Sequence, residues 1–137
     1  MDDVLPAFRG GPLRVLVCDD NVDLATTQAL LLETEGHVTQ ACFGGAEALQ
    51  LVEDFRPDAL VLDIAMPGID GLQVCSELRA TPRWNRIRIV GQTGHGDRDM
   101  LRRAAMSGFD RLLVKPVELP DLLAVLDDVR REIRRVK

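Results

Sequence analysis

The sequence has few of the residues that staple or mount a fold. Its three cysteines, Cys18, Cys42 and Cys75, are odd in number and widely spaced, with no C-x-x-C pair. Such spacing supports neither a disulfide framework nor a zinc site. Each lies in an apolar stretch and reads as a small buried hydrophobe. A basic excess is also lacking: 17 Lys and Arg face 22 Asp and Glu, for a net charge of −5. Nucleic acid is therefore not expected as a direct partner, because phosphate contacts demand a basic surface. No apolar run approaches the roughly 20 residues of a membrane span. The N-terminus lacks the basic-then-apolar pattern of a signal peptide. The expectation is a cytoplasmic protein that does not touch a membrane. Repeats and low-complexity segments are absent as well.

What is present suits one globular domain. The chain has 137 residues, 46% hydrophobic and 28% charged, enough for a single core. Residues 1–12 are irregular and read as a leader or linker, because Gly10-Gly11-Pro12 breaks regular structure. Residues 13–137 form the domain. Short apolar runs predict strands at Arg14–Asp19, Val38–Phe43, Ala59–Asp63, Ile87–Gly91 and Arg111–Val114. Helical periodicity fills the gaps: Leu24, Leu31 and Leu32 mark the first helix, and Leu49 and Val52 the second. Leu72, Cys75 and Leu78 mark the third, Leu101, Ala104 and Ala105 the fourth, and Leu122, Leu126, Val129 and Ile133 the last. Five strands, each followed by a helix, predict an α/β fold with a doubly wound parallel sheet.

Such sheets bind ligands outside the carboxyl ends of their strands. Those ends carry Asp19-Asp20, Asp63, Thr93 and Lys115. Three carboxylates gathered at one edge repel: two unit charges about 4 Å apart cost about 4 kcal/mol at an effective dielectric near 20. An oxygen-only ligand set without His selects a hard cation, and Mg²⁺ is commonly held by a few carboxylates, waters and phosphate. Lys115 adds positive charge and Thr93 a hydroxyl donor for phosphoryl oxygens. A carboxylate can itself be the nucleophile and form an aspartyl phosphate. Lys115-Pro116 is a plausible cis peptide that would aim the lysine. Taken singly, Asp19-Asp20-Asn21 reads equally well as a helix cap, Thr93-Gly94 as a turn and Lys115-Pro116 as a loop. Their joint placement at the strand ends favours a site.

These residues carry a family resemblance. Asp19-Asp20-Asn21, the run Asp63-Ile64-Ala65-Met66-Pro67-Gly68-Ile69-Asp70-Gly71, Thr93-Gly94 and Lys115-Pro116-Val117 stand in one register. Over roughly residues 12–129 the chain resembles the CheY-like receiver domain of two-component response regulators. The stretch Thr93-Gly94-His95-Gly96 with Gly108-Phe109-Asp110 is similar to receivers attached to hybrid kinases. The resemblance implies strand order 2-1-3-4-5, and a phosphoryl group received on Asp63 from a histidine kinase, phosphotransfer protein or small phosphodonor. It implies Mg²⁺ held directly by Asp20, Asp63 and the backbone carbonyl of Ala65, with Asp19 acting through water. Thr93 and the Gly94 N–H would receive phosphoryl oxygens, and Lys115 would pair with them. Such a domain switches conformation and is not an enzyme beyond slow autodephosphorylation. It serves either as a stand-alone regulator or as one part of a larger protein.

Two positions depart from the family pattern. Leu112 stands three residues before the lysine, where an aromatic or His is common, and His95 follows the threonine by two. The alternatives belong to other classes. A Mg²⁺-dependent aspartyl-phosphate phosphatase would carry a second acid where Ala65 stands. A flavin module would carry a Ser/Thr/Gly-rich loop where the first strand ends in acids, and a degenerate receiver would bind partners without phosphorylation. In the last helix Leu119, Leu122, Leu126, Val129, Ile133 and Val136 are spaced alternately by three and four. That pattern suits a core-facing helix or, as the sharper alternative, a homodimer seam. The basic residues Arg130, Arg131, Arg134, Arg135 and Lys137 are expected in its last, frayed turns, where they complement the helix dipole.

Overall fold

The structure is a computed structural model describing residues 11–136, with side chains described through residue 133. Of the expected leader only Gly11 and Pro12 are among them; the rest lies outside the described residues. Strands and helices alternate strictly: β1 (Arg14–Cys18), α1 (Val22–Thr34), β2 (Val38–Cys42), α2 (Gly45–Phe55), β3 (Ala59–Asp63), α3 (Gly71–Ala80), β4 (Arg88–Thr93), α4 (Arg98–Ser107), β5 (Arg111–Val114) and α5 (Leu119–Val136). The strands form one parallel sheet in the order β2-β1-β3-β4-β5.

Alternation along each strand divides the core in two. Leu16, Cys18, Leu60, Leu62 and Ile89 face α2 and α3, meeting Val52, Val74, Cys75 and Leu78. Val15, Val17, Ala59, Val61 and Val90 face α1 and α5, meeting Ala25, Ala29, Leu32, Leu122, Leu126 and Val129. The central strand β3 is buried at all five positions, which is why it reads as an unbroken apolar run ending in an acid. Helix starts are capped by side chains: Asn21 accepts from Leu24 N–H, Asp97 from Met100 N–H, and Asp70 forms a capping box with Gln73.

Several boundaries and faces differ from the sequence reading. β4 is expected at Ile87–Gly91 but runs to Thr93, because the polar side chain of Gln92 is buried against Gln28 and does not end the strand. β1 and β2 stop one residue short, at Cys18 and Cys42. In α1, Leu24 and Leu31 are exposed; the inward residues are Ala25, Gln28, Ala29 and Leu32. The buried Gln28 broke the apolar pattern. In α4 only Ala104 is buried, leaving Leu101 and Ala105 outside.

The α5 stripe of Leu122, Leu126 and Val129 is buried against the sheet, with Leu119 and Ile133 packed beside it. The core-facing reading of this helix holds for these residues. Arg130, expected in the last, frayed turns, is buried and pairs with Asp127. No helix among the described residues is long and apolar enough to cross a membrane.

Candidate functional site

The ends of four strands bring the expected residues to one edge. Asp19 follows β1 and is almost wholly buried. Its Oδ1 accepts the Asn21 N–H at 3.0 Å, and its own N–H donates to the Cys42 carbonyl at 3.1 Å. Asp20, the next residue, is exposed. Asp63 closes β3 and is 3% exposed. Behind it α3 comes so near that a Cβ on Gly71 would lie 2.5 Å from the Asp63 carbonyl oxygen. Only glycine permits that approach, and the helix start thereby braces the strand end.

Lys115 arrives from β5. Its N–H donates to the Thr93 carbonyl at 2.7 Å, and the Lys115–Pro116 peptide is cis, as expected. The ammonium reaches Asp19 Oδ2 at 2.9 Å and Asp63 Oδ1 at 3.0 Å. Thr93 is buried at the end of β4, and its hydroxyl is engaged by its own loop. The Oγ1 accepts the His95 N–H at 3.0 Å and donates to the His95 carbonyl at 3.3 Å. Gly94 and His95 are exposed, as is Ala65, two residues past Asp63. Leu112 is the register partner of Gly91. Its Cδ1 and the Phe109 ring occupy the space over Gly91, where a Cβ would approach them to 2.8 and 2.7 Å.

The electrostatics follow from this crowding. One carboxylate oxygen from each of Asp19, Asp20 and Asp63 lies within 4.8 Å of the other two. Burial pushes the Asp63 carboxyl up to about 6, helped by the charges of Asp19 and Asp20 and opposed by the hydrogen bond and charge of Lys115. Burial pulls the Lys115 ammonium down, but its hydrogen bonds to Asp19 and Asp63 outweigh that and raise it overall. Three carboxylates against one ammonium leave a negative surplus. With oxygen as the only donor type, the residues fit a hard divalent cation.

Comparison with known proteins agrees. Residues 15–127 match the family described as "Response regulator receiver domain". The chain belongs to that family. The phosphate regulon transcriptional regulatory protein PhoB of Rhizobium meliloti is 32% identical over 124 residues, 90% of this chain and 53% of that protein. The DNA-binding response regulator MtrA of Mycolicibacterium paratuberculosis is 35% identical over 122 residues, 89% of this chain and 52% of that protein. The receiver chain thus spans about half the length of these relatives. The receiver domain of Francisella response regulator 1452 superposes with a TM-score of 0.80 at 26% identity, covering 88% of this chain and 98% of that one. The receiver fold, with its 2-1-3-4-5 order, and the phosphoacceptor role that goes with the family hold for this chain.

The sequence reading missed the neighbours of the site. Gln92 sits beside Thr93, and its carbonyl accepts the Ile64 N–H at 3.0 Å. The available signal was a polar residue placed immediately after an apolar strand run.

Proposed function

We propose that Asp63 is the phosphoacceptor of this receiver and that Mg²⁺ is its cofactor. The observation that supports this most is the position of Asp63, buried between two acids and the Lys115 ammonium. A carboxylate oxygen of Asp63 attacks the phosphorus of a phosphohistidine on a sensor kinase or phosphotransfer protein. The P–N bond breaks as the O–P bond forms, and the leaving imidazole takes up a proton. Asp19 and Asp20, with Asp63 and the Ala65 carbonyl, would hold Mg²⁺, which when bound neutralises charge on the phosphoryl oxygens. Lys115 pairs with one of those oxygens, and the Thr93 hydroxyl exchanges its bond to His95 for another. The exchange takes place in the cytoplasm, where such kinases present their phosphohistidine.

The enzyme alternative gains no support. A phosphatase working through the same aspartyl phosphate needs a proton donor two residues on, and Ala65 offers none.

The test is phosphorylation by acetyl phosphate with Mg²⁺, read by intact-protein mass spectrometry. Wild type gains one phosphoryl group, Asp63→Asn gains none, and chelation abolishes the gain. Stable labelling of Asp63→Asn at the wild-type rate would refute the assignment.

A further inference from the structure

Gln28 and Gln92 hold each other by reciprocal amide hydrogen bonds. Gln28 Nε2 donates to Gln92 Oε1 at 2.8 Å, and Gln92 Nε2 donates to Gln28 Oε1 at 2.9 Å. Their exposures are 8% and 1%. Around them the layer between α1 and the sheet is largely apolar, built from Val17, Ala25, Ala29, Val61 and Val90 among others. An unpaired amide there would lose its hydration without replacement, so each glutamine requires the other. Two hydrogen bonds between planar groups fix orientation as well as distance.

The elements that the pair joins give it a meaning beyond packing. α1 begins at the acidic loop: Asn21 caps the helix while its N–H binds Asp19. Gln92 is the register partner of Asp63 on β4, its carbonyl holds Ile64 N–H, and Thr93 follows it directly. β3 lies between β1 and β4 in the sheet. The glutamines therefore connect the helix of the acidic loop to the strand of Thr93, with the Asp63 strand between them.

We infer that the Gln28–Gln92 pair is a positioning clasp that couples Thr93 to α1, so that phosphorylation of Asp63 displaces this helix. The inference rests on the phosphoacceptor reading given above. A hydrogen bond weakens steeply with distance and angle, and a shift of Gln92 is therefore passed to Gln28. Leu24 and Leu31 lie exposed on α1, so moving the helix repositions an apolar outer surface.

The test uses the isotope-labelled full chain with Mg²⁺ and beryllofluoride, a stable phosphoryl mimic. In wild type the side-chain amide resonances of Gln28 and Gln92 shift, together with the backbone amides of α1 from Ala25 to Leu32 and of Thr93 to Gly96. The double variant Gln28→Met/Gln92→Met keeps side-chain length and removes both amides. It retains the Thr93–Gly96 shifts and beryllofluoride affinity within about threefold, while its α1 shifts shrink at least about threefold. Undiminished α1 shifts in the double variant would overturn the clasp. So would a loss of affinity that abolishes both sets of shifts, which marks a structural prop. In wild type, where no variant must fold, unmoved glutamine amides beside a shifted Thr93–Gly96 loop overturn it too. If beryllofluoride moves no resonance at all, the phosphoacceptor reading has failed and the clasp falls with it.

Discussion

Lys115 Nζ stands 3.0 Å from Asp63 Oδ1 and 2.9 Å from Asp19 Oδ2, so one ammonium is shared between two buried carboxylates. Asp20 is left exposed and outside this sharing. The two acids of the β1–α1 loop therefore have different surroundings. Asp19 is tied to Lys115 and the Asn21 N–H, while Asp20 is available to a cation.

The first expectation concerns cation affinity. Asp20→Asn loses on the order of 100-fold in Mg²⁺ affinity, and Asp19→Asn about tenfold, as befits a residue acting through its neighbours. Isothermal calorimetry at fixed ionic strength measures both. Equal losses would contradict the division of roles.

The second concerns pH. With a chelator present, Asp63 titrates at about 6 in the folded state against its ordinary 3.8. The folded protein then binds more protons than the unfolded chain between those values. Stability is therefore greatest below 3.8 on this account and falls as pH rises through 6. The full penalty at neutral pH is about 3 kcal/mol, to order of magnitude. Asp63→Asn removes it. Urea melts are expected to find the variant more stable than wild type at pH 7.5 and indistinguishable near pH 4. A variant less stable at pH 7.5 would show that the Lys115 contact outweighs burial.

The third concerns the face around β5. Leu112 and Phe109 fill the space above Gly91, and Leu112 has no ring or polar tip to exchange between two environments. Beryllofluoride is expected to shift the Thr93–Gly96 amides more than those flanking Leu112. Gly91→Ala forces a methyl into that space and costs about 1–3 kcal/mol, as overpacking does. Chemical denaturation reads the second effect. Large matched shifts around Leu112 would show that leucine serves where an aromatic or His is common.

The fourth concerns Arg79, which joins three segments. Its Nε donates to the Gly108 carbonyl at 2.9 Å, Nη1 to the carbonyls of Asn85 and Ile87, and Nη2 to Asp110 Oδ2 at 2.8 Å. Arg79→Ala leaves these acceptors short and costs about 3 kcal/mol. Phosphorylation at Asp63 persists at a temperature where the variant is folded. A loss under 1 kcal/mol would show that water replaces the guanidinium.

The sheet and its chemical edge were legible because four of the five strands end in a change of character, as Ala59–Leu62 does at Asp63. Helix faces were less so. In α1, Leu24, Leu31 and Leu32 suggest the period, yet only Leu32 is buried, because the inward position at Gln28 is polar. An amide satisfied by another amide 64 residues away gives no local sign of burial. The same partner hid the end of β4, where Gln92 reads as a loop residue and is 1% exposed. Arg130 follows this logic too: a buried cation with an acid one turn earlier looks, in sequence, like any solvated arginine. Long-range polar pairing was the missing information.

The contact between Lys115 and Asp19 closes a loop of 96 residues. It has a consequence for the order in which the chain is made. A ribosome delivers Asp19, Asp20 and Asp63 first, and the one ammonium that offsets part of their charge emerges only after β5. Until then the nascent sheet carries three crowded acids and no ammonium. A chain interrupted before Lys115 has Asp19 and Asp63 without the ammonium they share.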